Sequence, residues 1–156
     1  MKEGHTELRP AVSPGWFERL RHALGRGRPW ARVTASSSAR LGEPLDVEWQ
    51  LEQAPSATLV TVSLVGSEIA RRRVSARTGI TIIPERQDFC VVELDRRVPQ
   101  RGSARGEGAA VVPQGLVPSF AAKFNEVAWS VVVAASSEDL PASRQEFSLT
   151  MLPVRA

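Results

Sequence analysis

The chain has 156 residues, of which 42% are hydrophobic and 24% charged, with a formal net charge of +3 and a sequence pI near 10.0. This suits a single domain with an ordinary charged surface, large enough to build a core. No apolar run approaches the roughly 20 residues that span a bilayer as a helix, and the N-terminus lacks the basic–apolar–small order of a secretory signal, so a cytoplasmic location is expected. The single cysteine, Cys90, excludes an internal disulfide.

The positive charge is concentrated. Residues 1–32 hold seven Lys/Arg against three Glu, whereas residues 33–156 hold thirteen basic and fourteen acidic side chains. A nearly neutral body, with no tyrosine and only nine Phe and Trp in the whole chain, argues against a nucleic-acid surface.

In chain order, residues 1–13 are polar, with Gly4 and Pro10, and read as a disordered tail. Pro14 to Leu24 carries Trp16, Phe17, Leu20 and Leu24 at helical spacing, with Ser13 as cap, Pro14 at the first helical position, and Gly25 and Gly27 as the stop. This predicts a short amphipathic helix within a basic N-terminal unit, 1–32. From Val33 to Ala156 the pattern becomes that of strands. Leu45, Val47, Trp49 and Leu51 alternate with Asp46, Glu48 and Gln50, and Val60, Val62 and Leu64 alternate with Thr61 and Ser63, that run ending at Gly66. Cys90, Val92 and Leu94 form another run. Val127, Trp129, Val131 and Val133 form the strongest, which predicts Trp129 buried between two sheets. Phe147, Leu149 and Met151 form the last. Val33–Ser37, Ile69–Val74, Ile80–Ile83 and Ala109–Val112 are weaker candidates. Turn signals fall between them at Gly42-Glu43-Pro44, Ala54-Pro55-Ser56, Pro99 to Gly108, Pro118-Ser119 and Pro141. Eight or nine short strands with no long helix among them predict an all-β, antiparallel two-sheet sandwich.

Gly42-Glu43-Pro44-Leu45 leading to Val47-Glu48-Trp49, then Val60-Thr61-Val62-Ser63-Leu64, resembles the opening of an arrestin-like domain, a variant of the immunoglobulin-like sandwich. Pro113, Pro118-Ser119-Phe120 and Val127-Ala128-Trp129-Ser130-Val131 resemble the later part of that fold, and Phe147–Leu152 its closing strand. The resemblance covers Val33 to Pro153 and extends to bacterial proteins of that type. It implies an adaptor or scaffold rather than an enzyme. The phosphate-sensing polar core of true arrestins has no counterpart among these motifs, so receptor recognition does not carry over.

Catalytic constellations are scarce. Only His5 and His22 occur, both before Val33. The body therefore has no imidazole for a Ser-His or Cys-His pair or for zinc, and no Gly-x-Ser-x-Gly elbow. Neither a cofactor nor a metal is expected. Glu93/Asp95 and Asp46/Glu48 read as solvated strand faces. Glu138-Asp139 alone cannot supply the ligands calcium takes. Cys90 reads as a small core residue. Arg101 to Gly108 reads as a mobile hairpin loop, since it lacks the ending of a phosphate-binding loop. Of Arg71-Arg72-Arg73, only Arg71 and Arg73 share a strand face; the run reads as a charged edge strand that discourages edge pairing.

The expected function is a non-catalytic protein-interaction or scaffold module for an unknown protein partner. Its candidate contact residues are Trp16, Phe17, Leu20, Arg71 and Arg73. The N-terminal helix is expected to dock on the sandwich, with a partner protein or a membrane surface as alternatives. The competing reading is a small ligand-binding protein or enzyme that uses arginines and carboxylates at the loop end of the sandwich.

Overall fold

A computed structural model describes residues 4–11, 31–51, 59–99, 104–136 and 143–156. The candidate helix, with Trp16, Phe17 and Leu20, lies outside the described residues. Among those described, ten strands and no helix occur: β1 (His5–Glu7), β2 (Ala31–Ser36), β3 (Ser38–Arg40), β4 (Pro44–Leu51), β5 (Leu59–Ala76), β6 (Gly79–Arg97), β7 (Arg105–Val111), β8 (Phe120–Ala121), β9 (Asn125–Ser136) and β10 (Ser143–Leu152). They form two sheets. One has the order β1-β2-β4-β7; the other has β3-β10-β9-β5-β6, with β8 added beside β9. All pairs are antiparallel except β3 with β10.

The alternating runs supply the core. Leu45, Val47, Trp49 and Leu51 of β4 and Val33 and Ala35 of β2 are buried on one side. Val60, Val62 and Leu64 of β5, Val127, Trp129, Val131 and Val133 of β9, and Phe147, Leu149 and Met151 of β10 are buried on the other. Trp129 is 2% exposed. Its indole N–H donates to the Val117 carbonyl at 2.9 Å, so its one polar atom is satisfied inside the core. The Val117–Ser119 segment is fastened to β10: Ser119 N–H donates to the Met151 carbonyl, and Met151 N–H donates to the Ser119 hydroxyl; the turn itself falls earlier, at Gln114-Gly115.

Four sequence expectations are corrected. Residues 4–11 are not a disordered tail. β1 pairs with β2, Leu8 is 4% exposed, and Arg9 to Ala11 hydrogen-bond the edge of β10. The segment passes from one sheet to the other, and Leu8 is the apolar residue that holds it there.

Gly66 does not end a strand. β5 and β6 are 18 and 19 residues long and form one hairpin through Ala76 and Gly79. Gly66 lies in the middle of β5, where a Cβ would press on Phe89 and Trp129 at 2.8–3.0 Å. The strand continues because the glycine makes room for two rings, not because a turn needs it.

Gly106 and Gly108 are strand residues of β7, not part of a mobile loop. A Cβ on Gly106 would meet Trp49 and Asp95, and one on Gly108 would be driven into the Leu94 carbonyl. These glycines let β7 lie directly against β6 and close one side of the sandwich.

Asp95 is not on a solvated face. β-bulges shift the β5–β6 register at Val62/Ser63 and Gly66/Ser67. At the first, Val62 opposes Asp95 and Ser63 opposes Glu93, so Leu94 is the extra residue and the face of Asp95 is reversed. Asp95 accepts the Trp49 indole N–H at 2.8 Å and Arg97 Nε–H at 2.9 Å, and so ties the two sheets together.

Candidate functional site

The outer half of the β5–β6 hairpin departs from the rest of the sheet. β9 pairs with β5 only as far as Ala70, and one further bond runs from Arg71 N–H to the Phe124 carbonyl. Beyond that point residues 71–76 pair only with 79–84, a two-stranded ribbon that extends for about 20 Å at the usual rise per residue. The turn Arg77-Thr78 closes on Gly79, whose φ of 131° is one that L side chains rarely adopt.

The pairing sets two faces. Arg71 opposes Pro84, Arg73 opposes Ile82 and Ser75 opposes Ile80, so these six share one face; Arg72 with Ile83 and Val74 with Thr81 share the other. Ile80 is 66% exposed and Ile82 52%. Nearby, Phe120 and Phe124 are also exposed. Arg71 and Arg73 therefore share a face, but neither is a free cation. Arg71 pairs with Glu126 at 2.8 Å, and Arg73 stacks over the Phe124 ring at 5.7 Å, with Lys123 at 5.2 Å from the same ring. Arg72, on the opposite face, pairs with Glu85 at 3.0 Å. β5 is an interior strand as far as Ala70; only the ribbon portion has the open edge that the arginine run suggested.

At the base of the ribbon lies a polar cluster that no sequence pattern announces. Ser67, buried at the Gly66 bulge, donates its hydroxyl to Asp88 at 2.7 Å and accepts from Arg86 Nε at 3.1 Å. Arg86 also pairs with Glu146 at 2.9 Å, and Arg144 with Glu146 at 3.0 Å and Asp88 at 3.8 Å. β6 and β10 are separated by β5 and β9, about 14 Å in a flat sheet, so these contacts need a sheet that curls around the cluster; the two bulges provide for that. Burial disfavours the Asp88 carboxylate, but the hydrogen bonds from Ser67 and Arg86 and the charges of Arg86 and Arg144 outweigh it and hold its pKa below the usual 3.8. Both arginines are matched by carboxylates, so the cluster is a closed brace rather than an anion site.

Two clefts open elsewhere. One, of about 300 Å³, lies at an end of the sandwich and is lined by His5, Arg40, Glu43, Asp46 and Arg155 among others. Arg40 and Arg155 both turn to Glu43, at 3.7 and 3.2 Å. The other, of about 410 Å³, lies over β2, β4 and β7, beside Arg32, Glu48, Arg97 and Arg105. No three His, Cys, Asp or Glu side chains converge as metal ligands among the described residues. Cys90 packs half-buried against the core, and burial pushes its thiol pKa up, away from the thiolate that reactivity needs. No described helix is long and apolar enough to cross a membrane.

No family model matches the chain, and no curated protein sequence matches it. Among solved structures it is similar to Spo0M, the sporulation control protein from Bacillus subtilis, at 13% identity and a TM-score of 0.48, over 80% of this chain and 50% of that one. The chain thus spans about half the length of that protein.

Proposed function

We propose that the protein is a non-catalytic, arrestin-like interaction or scaffold module that meets its partners through the β5–β6 ribbon. The observation that carries this reading is the ribbon: a projecting element with Ile80, Ile82 and Ile83 in solvent, which contributes no side chain to the core. Exposed apolar side chains grouped on one element mark interaction sites. The arrestin-like assignment rests on the Gly42–Trp49 and Pro113–Val131 motifs, now seen to build two facing sheets.

The end cleft is what favours the second reading, a small ligand-binding protein or enzyme. Its two arginines share one glutamate of the same chain, and Asp46 lines the same cleft, so cations and carboxylates balance there and little charge is left for a ligand. The test is association in the source organism. Tagged wild-type chain should fractionate with larger assemblies, and Ile80→Asp/Ile82→Asp should fractionate as the free chain. Identical profiles for the two would overturn a contact role for the ribbon.

A further inference from the structure

We infer that the ribbon face carrying Ile80, Ile82 and Pro84 with Arg71 and Arg73 docks on an anionic lipid surface. This rests on the reading of the ribbon as the contact element and names what it contacts. Three observations lead there.

The first is charge. Residues 71–84 contain Arg71, Arg72, Arg73 and Arg77 and no carboxylate, and Lys123 stands beside them over Phe124. Glu126 and Glu85 neutralise two of these five cations, so the element keeps an excess of positive charge. Apolar side chains interleaved with arginines form the composition that settles at a headgroup boundary, where the apolar groups enter the acyl layer and the guanidinium groups stay with the phosphates.

The second is shape. The exposed isoleucines sit near the tip of a projecting ribbon, and neither of the two clefts described above includes a ribbon residue. A flat lipid surface suits a protruding tip, whereas a peptide anchored by its side chains needs a concavity.

The third is the edge itself. An extended peptide could instead add to the free side of β6, as strands commonly do. Arg71 N–H points away from β6, to the Phe124 carbonyl, so Arg71 and Pro84 form a non-hydrogen-bonded pair and the Pro84 nitrogen faces the open edge. Proline there removes a donor that an added strand would use. Pro84 blunts the β6 edge at the base of the ribbon, and the charged run Arg71-Arg72-Arg73 discourages pairing along the open β5 edge, while the side-chain face stays open.

The experiment is co-sedimentation of the purified full chain with vesicles of phosphatidylcholine alone or with added phosphatidylglycerol. Binding is expected only with phosphatidylglycerol, and is expected to weaken as salt rises. Ile80→Asp/Ile82→Asp should weaken it at least about tenfold, and Arg77→Glu, at the solvent-exposed turn, about fivefold or more. Both variants should melt as the wild type does, which separates lost docking from lost fold. Failure of the wild type to sediment, equal binding by the isoleucine variant, or capture of an acidic peptide in place of vesicles would each overturn the inference. If vesicles are ignored while only wild-type chain joins assemblies in the cell, the lipid inference fails and the interaction-module reading stands. If the two chains fractionate alike, that reading fails as well.

Discussion

Trp129 shows how one side chain organises this fold. It is 2% exposed, donates its indole N–H to Val117 and meets Phe89 edge-on at 5.6 Å and 87°. Trp129→Ala should cost about 3–5 kcal/mol, read as a large fall in the thermal midpoint; Trp129→Phe, which keeps a ring, should cost much less. Its burial was legible in the sequence because Val127, Val131 and Val133 share its parity. Asp95 was not legible, because one extra residue in β6 reverses its face and no pattern marks where a bulge will fall. Gly108→Ala forces a Cβ into the Leu94 carbonyl and should destabilise by about 1–3 kcal/mol, as overpacking does. Asp88 gives a pH signature. Its pKa is lowered in the folded chain, so its contribution to stability is present above the unfolded value and is lost as pH falls through the folded one. Wild type and Asp88→Asn should therefore differ most in thermal midpoint above about pH 4 and converge below it; a constant difference down to strongly acidic pH would show that the charge of Asp88 contributes nothing.

At the scale of elements, alternating apolar residues announced the strands, and β4, β9 and β10 lie where that pattern puts them, although β9 is buried on both faces from Trp129 to Val133. The ribbon was read as two weak separate strands. Both its faces are exposed, so nothing selects apolar residues at every second position, and the Gly66 bulge breaks the pattern between its inner and outer halves. β1 was missed for the opposite reason: three polar residues carry no period, and only Leu8 beside them is buried. Leu8→Ala should cost about 2–5 kcal/mol, far more than any change in a loose tail. Ile80→Asp/Ile82→Asp should alter stability by no more than about 0.5 kcal/mol, the usual range for surface positions.

At the scale of the molecule, the two sheets are joined on one side by β7 lying against β6 and by the Trp49–Asp95–Arg97 tie, and at the other by residues 8–11 and β3 crossing to β10. The two-sheet sandwich was legible from strand count and turn spacing. The ribbon proposed as the contact surface was not, since it becomes visible only once β9 is seen to stop short of it; the candidates Trp16, Phe17 and Leu20 lie outside the described residues. None of the tying contacts involves residues 71–84, so the body and the ribbon should be separable. Ala70 opposes Glu85, and an Asn-Gly turn joining them replaces the ribbon with a tight hairpin of favoured geometry. The decisive measurement pairs the thermal midpoint of this shortened chain with its fractionation in the source organism. The expected result is a body that melts as the full chain does and no longer enters large assemblies; a shortened chain that still enters them as the full chain does would contradict a contact role for the ribbon, and one that fails to fold would contradict its independence from the core.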